Sequence, residues 1–273
     1  MGVAVLQTRQ DSPTGEIHFA RRRCGKLSNV SVGTDGDEAV AANRDRLDFR
    51  AIRPHRHDML DPDPQKRADN LKYVTDRLAL ADAVQARCCV DIAGSYNPSV
   101  WYGADPKNLS PEFFDATVEN CRKVIDAVKP RTTKFSIEMM GWSLPDGPDS
   151  YLKLIRAVDR SAFAVHMDVC NGINSPTRFY QNREFIAECF TKLGKWIVSC
   201  HAKDLAWVPE YNVHFKEVVP GKGQLDYAEY LRQLSRLGVD APLMLEHLQT
   251  PEEYTEGRDY IKSVGSRIGV GFA

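Results

Sequence analysis

The sequence has 273 residues, of which 42% are hydrophobic and 27% are charged, so it holds enough apolar material for a substantial core. Its formal net charge is −1 and its basic residues form no long stripe, which argues against a protein that binds duplex nucleic acid. No apolar run reaches the roughly 18 residues of a membrane-spanning helix, and the first residues lack the pattern of a signal peptide.

From about residue 49 onward, short β-prone runs alternate with segments of helical periodicity. The runs cover residues 49–55, 86–94, 134–141, 163–169, 196–204 and 242–248. The helical segments lie near residues 71–78, 110–128, 186–193 and 226–234, and a further helix follows a capping box that begins at Thr250. Strands that alternate with helices indicate a parallel sheet built from βα units.

Six βα units are visible after residue 49, so an eight-stranded barrel needs two more strands from the first 48 residues. Residues 3–7 (VAVLQ) and 29–33 (NVSVG) are the candidates, and both are weak. No linker-like stretch interrupts the pattern. The sequence therefore predicts an α/β fold, a (β/α)8 TIM barrel that forms a single domain over residues 1–273, with its first two strands weakly defined.

The cysteines indicate a reducing environment. None of the seven forms a C-x-x-C pair, and most lie in apolar runs, where a free cysteine behaves as a small hydrophobic residue. We therefore expect a cytoplasmic protein without disulfide bonds.

Four late strands in succession end in an ionisable residue: Glu138, Asp168, His201 and Glu246. In a parallel barrel the C-terminal ends of the strands meet on one face, so these residues are expected to converge. Any one of them alone is more typical of a solvated strand end, and the coincidence of four carries the prediction. The oxygen-rich set suits one divalent metal ion, Mn²⁺ or Mg²⁺, and the imidazole adds Co²⁺ or Zn²⁺ as alternatives.

The two-residue period of a strand adds a test of this site. If His201 points into the barrel, Ser199 and Lys203 do so too, whereas Cys200 and Asp204 face the helices. The same rule places a polar residue one layer below two other ligands, namely His166 below Asp168 and Ser136 below Glu138.

Further side chains near the strand ends are predicted to contact the substrate. His55 and His57 follow the strand at residues 49–55, and Lys203 shares the inward face of His201. Trp142, four residues after Glu138, is a candidate wall of the pocket. For the histidines and the tryptophan, a surface loop or a packed loop aromatic is the structural alternative.

Five segments together resemble a known family. They are FSIEMM, HMDVCN, CHAKD, PGKGQLDY and LMLEH, and in this order they resemble the xylose-isomerase-like TIM-barrel superfamily, in particular its sugar phosphate isomerase/epimerase family. The resemblance covers roughly residues 50–265. It implies that Glu138, Asp168, His201 and Glu246 bind one divalent metal, commonly Mn²⁺, and that the two glutamates act as acid and base.

The resemblance also implies an activity, that of a metal-dependent isomerase or epimerase in carbohydrate metabolism. Its substrate is a ketose or a sugar phosphate, and the proton moves next to a carbonyl through a metal-stabilised enediolate. Return of the proton to the opposite face is epimerisation, and return to the neighbouring carbon is isomerisation.

Two departures leave the reaction subtype open. Asn171 and Trp207 stand where ketose 3-epimerases place a His and an Arg that contact the sugar; Asn171 is retained among the predicted substrate contacts. The alternatives are an inosose-type dehydratase and a non-catalytic sugar-binding protein. An endonuclease IV-like nuclease is disfavoured, because Asn171 replaces a ligand histidine of that group. A small-molecule sugar is the expected partner, with no nucleic acid and no membrane, and a homo-oligomer is left open.

Overall fold

A computed structural model describes residues 58–272 and, in addition, the backbone of two short strands, Val5–Leu6 and Ala51–Ile52. The predicted strand at residues 29–33, as well as His55 and His57, lies outside the described residues.

The described elements alternate between strands and helices along the chain. The strands are β1 (Val5–Leu6), β2 (Ala51–Ile52), β3 (Cys88–Asp91), β4 (Lys134–Glu138), β5 (Phe163–Met167), β6 (Ile197–Ala202), β7 (Asp204–Trp207), β8 (Phe215–Val218) and β9 (Leu243–Leu245). The helices are α1 (Pro64–Ala83), α2 (Pro111–Val128), α3 (Pro148–Val158), α4 (Val169–Gly172), α5 (Pro176–Tyr180), α6 (Asn182–Leu193), α7 (Tyr227–Ser235) and α8 (Pro251–Ile268).

Seven of the strands form one sheet in the order β1-β9-β6-β5-β4-β3-β2. Every neighbouring pair is parallel, as the alternation of strands and helices predicts. β1 and β2 stand at the two ends, so the described strands do not close into a ring. Because the strands are parallel, their C-terminal ends lie on the same side of the sheet. The predicted ligands Glu138, Asp168, His201 and Glu246 lie at these ends.

Helix starts follow ordinary capping chemistry. Asp63 caps α1 by accepting hydrogen bonds from the backbone N–H groups of Gln65 and Lys66. Thr250 and Glu253 form the predicted capping box of α8. Each such cap stabilises its helix by about 1 kcal/mol, so local sequence sets where these helices begin.

The two faces of the sheet have different surroundings. The outward side chains pack under the helices in the main core, for example Ile137, Val165 and Leu245. On the inward face, a small separate cluster lies below the strand ends that carry the polar residues. It consists of Cys88, Val90 and Met244, and Val198 packs against it. The polar residues of the candidate site lie above this cluster, at the strand ends.

β6 contains an irregularity that changes which residues face inward. Val165 pairs with Ile197, yet His166 pairs with Ser199, so Val198 is an extra residue in β6. Uninterrupted alternation from Ile197, which packs under the helices, would turn His201 outward as well. The extra residue reverses the alternation and directs His201 into the barrel, which is a common role of bulges near functional sites.

Helices α3, α4 and α5 and strands β7 and β8 were not predicted. α3 follows a loop rich in glycine and proline, although its buried residues have helical spacing. β7 and β8 form a separate antiparallel hairpin directly after β6, and this hairpin lacks the Asn-Gly or Asp-Gly turn that signals one. β3, β4, β5, β6 and β9 are also shorter than the predicted runs. No helix in residues 58–272 is long and apolar enough to cross a membrane.

Candidate metal centre

The four predicted ligands converge on one point. His201 Nδ1 lies 3.0 Å from Glu138 Oε1, 3.1 Å from Asp168 Oδ2 and 3.1 Å from Glu246 Oε2. One ligand atom from each of the four residues lies within 4.8 Å of the other three. Glu138, Asp168 and His201 are buried, and Glu246 is nearly so, with 11% of its side chain exposed. The structure thus brings together residues that are far apart in the sequence.

Each ligand owes its position to the end of a strand. Glu138 is the last residue of β4, and His201 is the penultimate residue of β6. Asp168 and Glu246 directly follow β5 and β9. Asp168 also caps α4, because its Oδ1 accepts the backbone N–H of Asn171 at 3.0 Å while Oδ2 faces His201.

Lys203 places a positive charge among these carboxylates. Its Nζ lies 2.8 Å from Glu246 Oε2, 3.0 Å from Asp168 Oδ2 and 3.9 Å from Glu138 Oε1, and the side chain is buried. Burial alone raises the pKa of Asp168, but the ammonium of Lys203 and the hydrogen bond from His201 outweigh it and hold that pKa below its usual value. Lys203 therefore favours ionised carboxylates in a buried site.

The composition of the cluster fits a divalent cation. With His201 neutral, the carboxylates of Glu138, Asp168 and Glu246 outnumber the single ammonium of Lys203 by two negative charges. Buried charges are costly unless they are balanced, and a divalent cation balances these two. Three carboxylate oxygens and one imidazole nitrogen are a donor set that Mn²⁺, Mg²⁺, Co²⁺ and Zn²⁺ accept.

Asn171 links the two halves of the site. Its Nδ2 donates to Glu138 Oε1 at 2.9 Å, and its Oδ1 accepts from Lys203 Nζ at 3.3 Å. The amide is half-buried and fixes both side chains at once. Its predicted role as a substrate contact remains a prediction, and the structure adds this bridging role.

The match to a known family is found over most of the chain. The profile of the xylose isomerase-like TIM barrel family matches residues 25–264. The chain belongs to this family. The membership establishes the TIM barrel fold class that the sequence predicts. No curated protein sequence matches the chain.

Several solved structures have a similar fold. A xylose isomerase-like TIM barrel protein from Mycobacterium smegmatis in complex with magnesium has a TM-score of 0.63 at 19% identity, over 81% of this chain and 74% of that chain. A D-tagatose 3-epimerase-like protein has a TM-score of 0.62 at 15% identity, over 83% and 80% of the two chains. A probable 3-DHS dehydratase from Bacillus anthracis has a TM-score of 0.58 at 16% identity, over 81% and 77%. At these identities the likeness concerns the fold alone.

Within this xylose isomerase-like barrel, helix tyrosines hold the strands that carry the ligands. Tyr230 of α7 donates its hydroxyl to the carbonyl of His201 at 2.9 Å, and Tyr227 donates to the carbonyl of Lys203 at 2.9 Å. Tyr151 of α3 donates to the carbonyls of Ile137 and Ala164 in β4 and β5. The outer layer therefore fixes the backbone beneath the site.

Asp204 organises a loop beside the site and faces away from the ligands, as the alternation predicts. Its carboxylate accepts the backbone N–H groups of Gly221 at 2.9 Å, Gly223 at 3.1 Å and Leu225 at 2.9 Å. Position 223 must be glycine, because a Cβ there would lie 2.2 Å from Asp204 Oδ1. The GKG segment is therefore a loop tied to a buried carboxylate rather than a phosphate-binding loop.

The rim holds a pair that the sequence prediction missed. His247 Nδ1 lies 3.2 Å from Glu217, and its Nε2 lies 3.6 Å from Glu246 Oε1. His247 has a φ of 60°, a conformation that is uncommon for residues other than glycine. The signal available in the sequence was only its position directly after a predicted ligand.

Of the remaining predicted substrate contacts, only Trp142 lies within the described residues. Trp142 is half-buried in the loop that follows β4. His55 and His57 lie outside the described residues, so their contacts with the substrate stay predictions.

Proposed function

We propose that this protein is a divalent-metal-dependent sugar isomerase or epimerase that acts on a ketose or a sugar phosphate. The observation that carries the proposal is the buried convergence of Glu138 and Glu246 on the same nitrogen of His201, together with Asp168. Two carboxylates beside one cation site can serve as base and acid for proton transfer next to a metal-polarised carbonyl.

The metal proposed for the site is Mn²⁺, with Mg²⁺, Co²⁺ or Zn²⁺ as alternatives, held by Glu138, Asp168, His201 and Glu246. When bound, such an ion supplies positive charge that polarises the carbonyl of a ketose and stabilises the negative charge that develops after proton removal. Asp168 is the most deeply buried of the three carboxylates, and its other oxygen caps α4. It is therefore assigned to metal binding alone.

Glu138 and Glu246 are assigned to proton transfer. One removes the proton from the carbon next to the carbonyl, and the other returns a proton to the opposite face or to the neighbouring carbon. Asn171 holds Glu138 by a hydrogen bond, which fixes the direction of one carboxylate oxygen. Lys203 lies against Glu246 and is the group proposed to orient a substrate oxygen beside that carboxylate.

The substrate lies above these groups in the proposal. Trp142 is proposed as a wall of the pocket, and His55, His57, Asn171 and Lys203 as its polar contacts. The expected setting is carbohydrate metabolism in the cytoplasm, with a small sugar as the partner.

A screen in deuterated water tests the proposal. Ketoses and inososes are incubated with the Mn²⁺-loaded protein and followed by NMR. The expected result is deuterium at a carbon next to the carbonyl of one substrate, with loss of exchange when the metal is removed. Binding of a sugar without exchange at any carbon would instead identify a sugar-binding protein.

An inosose-type dehydratase is the second candidate, and one observation favours it. Trp207, which stands where ketose 3-epimerases place an arginine, is packed against Tyr180 and Phe215 at ring-centroid distances of 5.5 and 5.3 Å. This position therefore offers no cationic group to a sugar hydroxyl. The same NMR screen separates the two functions, because a dehydratase yields a product that has lost water.

A further inference from the structure

A second histidine lies directly below the candidate metal centre. His166 is fully buried in β5 and points into the barrel. Its Nε2 lies 3.1 Å from His201 Nε2, and the two rings meet edge to face with centroids 4.0 Å apart. The other nitrogen of His166, Nδ1, lies 2.7 Å from Ser199 Oγ.

These contacts fit one arrangement of protons when His201 binds a metal. A histidine binds a metal through the unprotonated nitrogen of a neutral ring. His201 directs Nδ1 at the three carboxylates, so Nδ1 is the nitrogen that would bind a cation held among them, and the ring proton is then on Nε2. His166 Nε2 lies 3.1 Å from His201 Nε2, within hydrogen-bonding distance, and is positioned to accept that N–H.

The chain of hydrogen bonds continues below His166. Because His166 accepts at Nε2, its own proton is on Nδ1 and is donated to the hydroxyl oxygen of Ser199. Ser199 also accepts from the thiol of Cys88 at 3.2 Å. Ser199 faces inward beside His201 because of the extra residue Val198, so the bulge of β6 completes this chain.

We propose that His166 is a positioning residue of the metal centre. It accepts the Nε2–H of His201 and thereby keeps the Nδ1 lone pair of His201 directed at the cation. Without this acceptor, the opposite tautomer of His201 is available, in which Nδ1–H donates to a carboxylate and the nitrogen can no longer bind a metal. The inference rests on the metal centre of the proposed function, and it concerns ion binding rather than turnover.

A matched pair of variants tests this role. H166Q and H166M have side chains of similar length, but only the glutamine carries a carbonyl oxygen that can accept the His201 N–H. Binding of Co²⁺ and Mn²⁺ is measured by titration calorimetry without sugar. Loss of the partner of a metal-binding histidine typically weakens metal binding by about 10- to 100-fold, which is the effect expected for H166M. H166Q is expected to recover most of the affinity.

The visible spectrum of bound Co²⁺ reports the ligand geometry of the ion. If His166 had only a packing role, the spectrum would not differ between H166M and H166Q. We expect a shifted spectrum in H166M and a spectrum close to that of the unaltered protein in H166Q. Equal affinity and equal spectra in all three proteins would overturn the inference.

A measurement on the unaltered protein keeps the inference testable if H166M does not fold. In Zn²⁺-loaded protein with ¹⁵N-labelled histidine, the ring nitrogens of His201 are assigned by NMR. The expected state is a proton on Nε2 and the metal on Nδ1; the reverse assignment would overturn the inference. Metal binding with this tautomer but without sugar exchange would refute the proposed isomerase and leave the inference standing. A protein that binds no divalent metal would refute both.

Discussion

Glu246 and Glu138 have the same chemistry but different surroundings. Glu138 is held by Asn171, whereas Glu246 contacts Lys203 and lies beside the rim residue His247. If Glu246 transfers the proton, its replacement should lower turnover more than it lowers metal binding.

Glu246→Gln is expected to lower turnover by about 10²- to 10⁴-fold, because the amide cannot accept the proton. Metal binding is expected to persist in part, since three other ligands and the amide oxygen remain. Rates and metal content are measured on the substrate found by exchange. Glu256→Gln is the control, because Glu256 is exposed and pairs with Lys222 away from the site. Full activity of the Glu246 variant would contradict the assignment.

Replacement of Lys203 is expected to lower the free energy of unfolding by an amount that depends on whether the metal is bound. Lys203→Met leaves the buried carboxylates without their ammonium, and loss of one partner of a buried ion pair costs about 3–5 kcal/mol. Bound metal replaces this positive charge, so the loss is expected to be smaller in the metal-loaded protein. Thermal unfolding with and without Mn²⁺ measures the difference, and Lys222→Met, at an exposed lysine, is the control. An equal loss in both states would show that Lys203 acts through packing alone.

At the scale of elements, the helices fix the strand ends by hydrogen bonds as well as by packing. Tyr227 and Tyr230 of α7 hold the backbone on either side of Ala202, between the candidate ligand and Lys203. Because these hydroxyls are buried, removal of one takes away a buried hydrogen bond to the strand backbone.

Tyr230→Phe is expected to destabilise the protein by about 1–3 kcal/mol and to weaken metal binding, because the carbonyl of His201 loses the buried hydrogen bond from this hydroxyl. Denaturant unfolding and metal titration measure the two effects. Tyr211→Phe, at a fully exposed tyrosine, controls for the substitution itself. Unchanged metal affinity in the Tyr230 variant would limit the hydroxyl to a role in stability.

α1 is tied to the loop before β4 by one carboxylate, which predicts a pH dependence. Burial opposes ionisation of Asp82, but the backbone N–H groups of Arg131, Thr132 and Thr133 and the Thr132 hydroxyl lower its pKa to about 2. The folded state therefore binds the proton less readily than the unfolded state. The stability gained from Asp82 is present near neutral pH and is lost as the pH falls from about 4 towards 2.

Asp82→Asn is accordingly expected to be less stable than the unaltered protein by about 1 kcal/mol at pH 7, after allowance for solvent screening. The difference is expected to shrink as the pH approaches 2. Urea unfolding across this pH range provides the test. A difference that is constant with pH would assign the effect to geometry rather than to charge.

At the scale of the molecule, the sequence predicts the parallel sheet and the convergence of four strand ends. Both follow from periodicity and from polar residues that interrupt apolar runs. The inward direction of His201 was predicted from the assumption that it binds a metal; the bulge at Val198 that produces it cannot be read from alternation, since a bulge is defined by pairing with another strand. The bridging role of Asn171 and the contact between His166 and His201 likewise depend on distances between separate βα units. The single-domain assignment stays a prediction.

The whole molecule is expected to remain folded when the metal is removed. The core and the tyrosine hydrogen bonds are independent of the ion, and Lys203 offsets part of the negative charge. Chelation is expected to lower the unfolding temperature and to leave the far-UV circular dichroism unchanged, with stability restored in proportion to added metal. Loss of secondary structure on chelation would show that folding requires the ion.

The position of Lys203 has a consequence for how the protein acquires its ion. A cluster whose carboxylates are already held by an ammonium can be assembled before any metal arrives, so folding and metal uptake become separate events. Selection among ions that suit the same donors then follows their availability as well as their affinity. We therefore expect the metal found in purified protein to reflect the supply of ions during growth, which need not be the ion that gives the fastest turnover.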